Sequence, residues 1–208
     1  MSKSVKNLTN MIFWVSPERI QFCTPSSKYT DLNQHERDPD HPHAFYDRGY
    51  FYEDIWKGRV LSKSWDNATL KFSELLEYKA IYEHINNIER WKDSMFANRM
   101  KKYMLMTNKE SAGAQYRFQG FNDPDEFALA REKQINELIE SIRDRGLQPV
   151  GGKGCYESKL DDISVNQTRT GDLLFNNRGH HRLSIAKISN IKLIPVQLIV
   201  KYSNNFPL

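Results

Sequence analysis

The stretch Leu173-Leu174-Phe175-Asn176-Asn177-Arg178-Gly179-His180-His181-Arg182-Leu183-Ser184-Ile185-Ala186-Lys187 constrains this chain more than any other. Leu173-Leu174-Phe175 reads as the end of a strand, and Asn176, Asn177 and Gly179 are turn residues. From Gly179 onward, Leu183, Ala186 and Ile188 keep helical spacing. That spacing predicts a helix starting at or just after Gly179 and stopping at Asn190. Ile191 to Val200 then reads as a strand entered through Pro195. The unit is strand, glycine turn, short helix, strand. A glycine turn opening a helix aims backbone N–H groups outward, and the helix dipole adds positive potential there. Such an end is a ready site for phosphate, and here Arg178, His180, His181 and Arg182 surround it.

Taken in order, the chain supplies other elements around this unit. Met11-Ile12-Phe13-Trp14-Val15 is a short apolar run readable as a buried strand, and Ser16-Pro17-Glu18-Arg19-Ile20 is a turn. Thr24 to Arg48 is polar and proline-rich, a long loop. Within it, His35, His41 and His43 alternate irregularly with acidic residues. Pro39 and Pro42 prevent a helix that would align them, so a solvated loop is favoured over a metal site. The aromatic run Tyr46 to Trp56 reads as packing rather than base stacking. Phe72 to Met100 is the main helical region, with His84 on its apolar face as a core histidine and a second short helix open at Trp91, Met95 and Phe96. A second long helix is expected from Asp123 as N-cap and Pro124 at the first helical position, ending at Gly146. Arg131 and Lys133 near its start are expected in solvent, with a pocket-facing role as the alternative. Val150-Gly151-Gly152-Lys153-Gly154 lacks the glycine spacing of a Walker motif. Ile163-Ser164-Val165-Asn166 alternates as a strand, and Thr168 to Asp172 makes a hairpin turn.

Three separated pieces of this chain occur together in one known superfamily. The Gly179-His180-His181-Arg182 turn, opening a helix before Ile194-Pro195-Val196, resembles the core of the ParB/sulfiredoxin-like superfamily. Ile135 to Val150, a helix with a Gly146-Leu147-Gln148-Pro149 exit, is similar to that family's helix. Phe13 to Ile20 is similar to its opening strand and Pro-x-x-Ile turn. The resemblance implies an α+β fold: a small mixed sheet of the ParB/sulfiredoxin type with a mostly helical insertion. Residues 11–30 and 123–203 would form the core, and 31–122 the insertion. It also implies a pocket for nucleotide phosphates, because ParB-like members bind CTP, sulfiredoxins use ATP and a free serine kinase of this fold uses ADP. The departures matter. His180 stands where a sulfiredoxin has its catalytic cysteine, and Arg178 stands where the serine kinase group usually has an acidic residue. The Gly-His-His-Arg spelling is nearest to the serine kinase group.

Composition sets bounds on the ligand. The chain has 208 residues and a formal net charge of +4, which suits an anionic ligand. That charge falls short of a dedicated nucleic-acid binder, so nucleic acid is not the favoured partner. Cys23 and Cys155, far apart in sequence, form no zinc motif and read as free buried thiols. No apolar run approaches the length of a membrane span, and a cytoplasmic protein is expected.

The expected site therefore comprises Arg178, Gly179, His180, His181 and Arg182 as phosphate-binding residues, with His180 and His181 as proton carriers. ATP or CTP is the expected ligand, with Mg2+ left open. Glu18, Glu137 and Asp172 are candidate carboxylate bases. Two readings follow: a phosphotransferase or NTPase acting on a small substrate, or a non-catalytic nucleotide-gated module that binds protein or nucleic acid.

Overall fold

The computed structural model describes residues 12–24, 59–61, 70–106, 120–149, 162–176 and 178–202. The histidine-rich run, the aromatic run after it, the glycine-rich segment at 150–154 and Cys155 lie outside the described residues. Six strands form one sheet: β1 Ile12–Val15, β2 Phe22–Cys23, β3 Arg59–Leu61, β4 Ile163–Gln167, β5 Leu173–Phe175 and β6 Ile194–Tyr202. Four helices among the described residues accompany them: α1 Leu76–Ile85, α2 Met95–Met106, α3 Pro124–Arg145 and α4 His180–Ile188. No helix among the described residues is long and apolar enough to cross a membrane.

The strand order is β1-β6-β4-β5-β2, with β3 also against β6. β4 runs parallel to β6 and antiparallel to β5, and β1 is antiparallel to β6, so the sheet is mixed and the class is α+β. β6 is long enough to serve two partners on one edge. β1 pairs with Ile194 to Gln197 and β3 with Val200 to Tyr202, while β4 occupies the opposite edge. The opening strand thus shares a sheet with the last one. The 31–122 segment, read as mostly helical, also contributes β3 to that sheet.

Register sorts the side chains. Val15 lies opposite Ile194, Ile163 opposite Val196, and Val165 between Phe175 and Leu198. All of these are buried in one cluster with Leu183, Ile185 and Ala186 of α4, Ile81 of α1, Met104 of α2 and Ile135 of α3. Ser164 and Asn166 of β4 are also fully buried, while Ile12 and Trp14 of β1 at the sheet's edge are exposed. Asn166 Nδ2 donates to Thr24 Oγ1 at 2.9 Å, the kind of pairing a buried amide requires.

α3 follows its sequence signals. Asp123 Oδ1 accepts the N–H groups of Asp125 and Glu126, both at 2.8 Å, and Gly146 ends the helix at φ 66°. The first helical region does not run unbroken from Phe72 to Met100. Leu75 is extended, Asn87 takes a positive φ of 57°, and Trp91–Asp93 forms a separate 3-10 turn before α2. Ser94 secures the restart: its Oγ donates to Trp91 O at 2.7 Å and accepts from Ala97 N–H at 3.2 Å.

Long-range bonds hold that break against α3. Glu132, 4% exposed, accepts from the Arg90 guanidinium and from Lys92 N–H at 3.0 Å. Burial pushes the Glu132 carboxyl up, yet Arg90 and the Lys92 N–H outweigh it and hold the group below its ordinary value. His84 Nδ1 accepts from Trp91 N–H at 3.1 Å, and its Nε2 meets Asn136 Oδ1 at 2.7 Å. His84 is therefore a structural histidine with both ring nitrogens engaged.

Candidate anion site at the glycine turn

Gly179 is the N-cap of α4 and sits at φ 76°, in the left-handed region. A Cβ here would lie 2.8 Å from Ile163 Cα and 2.9 Å from Ile163 N, so the turn is pressed directly on the start of β4. Two backbone bonds stitch it down: Ser164 N–H donates to Arg178 O at 3.2 Å, and Asn176 N–H donates to Ser164 O at 2.8 Å. The first bond inside the helix runs from Leu183 N–H to Gly179 O at 2.9 Å. The N–H groups of His180, His181 and Arg182 lie ahead of that ladder. Gly179 offers no side chain to cap them, and the first turn holds no acidic residue. The helix end is electropositive by construction.

Arg182 is drawn into the fold. It is 8% exposed. Its Nη2 donates to the carbonyl of Gln148, just after α3, and its Nη1 stands 3.6 Å from Asp162 Oδ1, just before β4. The arginine is thus drawn into the body of the fold, where it ties the exit of α3 to the entry of β4. The reason is geometric: one turn into α4, its long side chain reaches the flank facing these two chain ends.

The three candidate carboxylate bases lie away from the turn. Glu18 lies 3.9 Å from Lys187 Nζ in the last turn of α4. Lys187 is seven positions on from His180, so Glu18 is displaced about 10 Å along the helix at ~1.5 Å per residue. Burial lowers the Lys187 amine, and Glu18 opposes that shift. Asp172 caps the β4–β5 hairpin, accepting from Thr170 Oγ1 at 2.6 Å, at the opposite end of β5 from the glycine turn. Glu137 is exposed on α3. The carboxylate that does approach is Asp162, through its contact with Arg182. Its only sequence signal was an acidic pair just ahead of a strand.

The two histidines differ from a pair of solvent-facing proton carriers. Their rings are 4.2 Å apart and tilted, and His181 also meets Trp91 and Phe96 edge-on at 6.2 and 6.4 Å. The His181 Nε2 atom is enclosed and has no hydrogen-bond partner among the described residues. Burial holds the His181 imidazole well below its ordinary value, and the nearby charges of His180 and Arg131 add to this. His181 is therefore neutral near pH 7. Arg131, half-buried on α3, belongs to the site's surroundings, whereas Lys133 is exposed.

A pH dependence follows. The unfolded chain takes up a proton at this histidine as pH falls through 6.5, while the native state resists. The contribution to stability is complete above 6.5 and is lost as pH drops from there toward the lower native value. The slope is up to ~1.4 kcal/mol per pH unit. Urea unfolding of wild type and His181→Phe between pH 7.5 and 5 should show this slope in wild type and its loss in the variant.

Among the described residues, no group of three or more His, Cys, Asp or Glu could hold a metal ion. Arg178, His180, His181 and Arg182 at the turn do not fit a protein-built magnesium centre, which takes oxygen ligands. Sequence patterning does not reveal the buried polar residues beside the turn, Ser164 and Asn166 of β4 and Thr24, nor that the turn residue Asn176 is buried. Their signal was the alternation of β4, which reads equally well as a strand with one wet face. No family model matches this sequence, and no curated protein or solved structure is significantly similar to it.

Proposed function

We propose that this chain binds ATP or CTP through its phosphates at the N-terminus of α4, and acts as a phosphotransferase or NTPase on a small substrate. One observation carries the reading. Gly179, held left-handed against Ile163, opens a nine-residue helix with no acid in its first turn and with Arg178, His180 and His181 around it. Backbone N–H groups there would donate to phosphate oxygens, and the helix dipole would add to the attraction. Because the His181 Nε2 is enclosed, His180 is the better placed of the two to exchange a proton with a substrate. The resemblance to ParB/sulfiredoxin-like proteins in the turn, the α3 exit and the opening strand supports a nucleotide over a simple anion.

The non-catalytic, nucleotide-gated module remains the second reading, and a specific observation favours it. Asp162, at the entry of β4, is engaged by Arg182. Calorimetric titration with ATP and CTP, with and without magnesium, tests the site itself. Micromolar binding that weakens as salt rises is expected. Absence of any heat of binding would sink the proposal. Nucleoside diphosphate release, alone and with a panel of hydroxylated small molecules, then separates the two readings.

A further inference from the structure

We infer that Trp91, His181 and Arg131 form a second oxyanion seat beside the first turn of α4, so that the ligand is a polyphosphate whose outer phosphate docks in the helical layer. The inference rests on the reading of the α4 turn as a phosphate site and deepens it.

The argument is an inventory of donors without acceptors. Trp91 is 1% exposed, and its indole Nε1–H is enclosed without a hydrogen-bond partner among the described residues. An indole N–H can only donate, so only an acceptor satisfies it. His181 Nε2 is enclosed and unpartnered in the same way, on a ring 6.2 Å from that of Trp91. Native proteins retain few buried polar atoms in this state without a reason. Two such nitrogens on touching rings, one residue past the start of the phosphate-binding turn, point to a missing partner. A neutral imidazole in its Nε2–H form and the indole would both donate to one oxyanion.

The local charge says which partner. Arg131 lies close enough for its charge to disfavour protonation of His181. It is brought there by its neighbour Glu132, which fixes α3 to the turn carrying Trp91 through the Lys92 N–H. That carboxylate is occupied by Arg90 and Lys92, and the charges acting on His181 among the described residues are those of His180 and Arg131. The Arg131 Nη1 donates to Gln134 Oε1 at 2.8 Å on the surface of α3, a contact a ligand phosphate could replace. Donors and positive charge converge on the His181 ring, and an anion is the complement. Arg182, held by Asp162 and Gln148, leaves the role of fixed cation to Arg131.

The test uses the full chain labelled at its indole nitrogens, with the Trp91 resonance assigned by its loss in Trp91→Phe. Inorganic pyrophosphate, ATP, CTP and AMP are titrated in turn. Pyrophosphate and the triphosphates should shift the Trp91 N–H downfield, and AMP should not. Arg131→Ala should weaken ATP about 10-fold or more while changing AMP less than about 2-fold. Melting curves of both variants confirm that they fold. ATP binding that leaves the indole unmoved, or an Arg131→Ala loss equal for AMP and ATP, overturns the inference and leaves the α4 site standing. A shift with pyrophosphate, combined with ATP and CTP binding no tighter than pyrophosphate, supports the seat and removes the nucleotide reading. Binding of none of the four discards both.

Discussion

Gly179→Ala should destabilise the native state by about 2–5 kcal/mol. Two effects add. An L-residue held at φ 76° costs roughly 1–2 kcal/mol relative to its preferred conformations. The new methyl would then stand 2.8 Å from the Ile163 backbone, closer than real Cβ contacts allow, and such overpacking costs about 1–3 kcal/mol. Backbone cannot rotate away as a side-chain tip can, so relief would require α4 to lift from β4. Gly171→Ala supplies the control. Gly171 also has a positive φ, 89°, but nothing lies within 4 Å of its would-be Cβ, so only the conformational cost of about 1–2 kcal/mol applies. Urea unfolding of the two variants beside wild type measures the difference directly. Equal losses would mean that the turn is not pressed on β4, and the fixed helix end on which the anion site depends would lose its basis.

The parts of this molecule legible in the sequence are those decided by neighbours in the chain. Gly179 announces a left-handed turn because few other residues adopt that conformation, and the helix after it needs only local spacing. Asp123, Pro124 and Gly146 mark both ends of α3 through bonds to residues two or three positions away. The parts that were not legible are decided across the fold. The break between α1 and α2 depends on Glu132 reaching back 40 residues to Lys92, and on His84 accepting from Trp91 while meeting Asn136. The apolar periodicity carries on from Ile88 to Trp91, Met95 and Phe96, so it admits a second short helix there without fixing where the first one stops. β3 joins the sheet only because β6 is long enough to take β1 and β3 on the same edge. The same limit applied at the site. The basic residues around Gly179 were visible as a set, yet their division of labour was not. His181 turns into an aromatic enclosure and Arg182 toward two chain ends, and each choice follows from what stands opposite in space.

Arg182→Ala should therefore act first on stability. Truncation leaves the Asp162 side chain, 16% exposed, without its cation and the Gln148 carbonyl without its donor. Removing one partner of a largely buried ion pair costs about 3–5 kcal/mol, mostly because the other charge stays desolvated. In a chain of this size that corresponds to a fall in melting temperature of roughly 10 °C. Arg182→Lys keeps the charge but loses the planar pair of donors that reaches both partners, so it should fall between wild type and alanine. The double variant Arg182→Ala, Asp162→Asn should recover part of the loss, with a coupling of about 1–3 kcal/mol, because the stranded carboxylate is then gone. The opposite pattern would reassign the residue. If Arg182→Ala melts like wild type while ATP affinity falls 30-fold or more, on the order of 2 kcal/mol, the guanidinium belongs to the ligand. Its contacts with Gln148 and Asp162 would then be ones the ligand displaces.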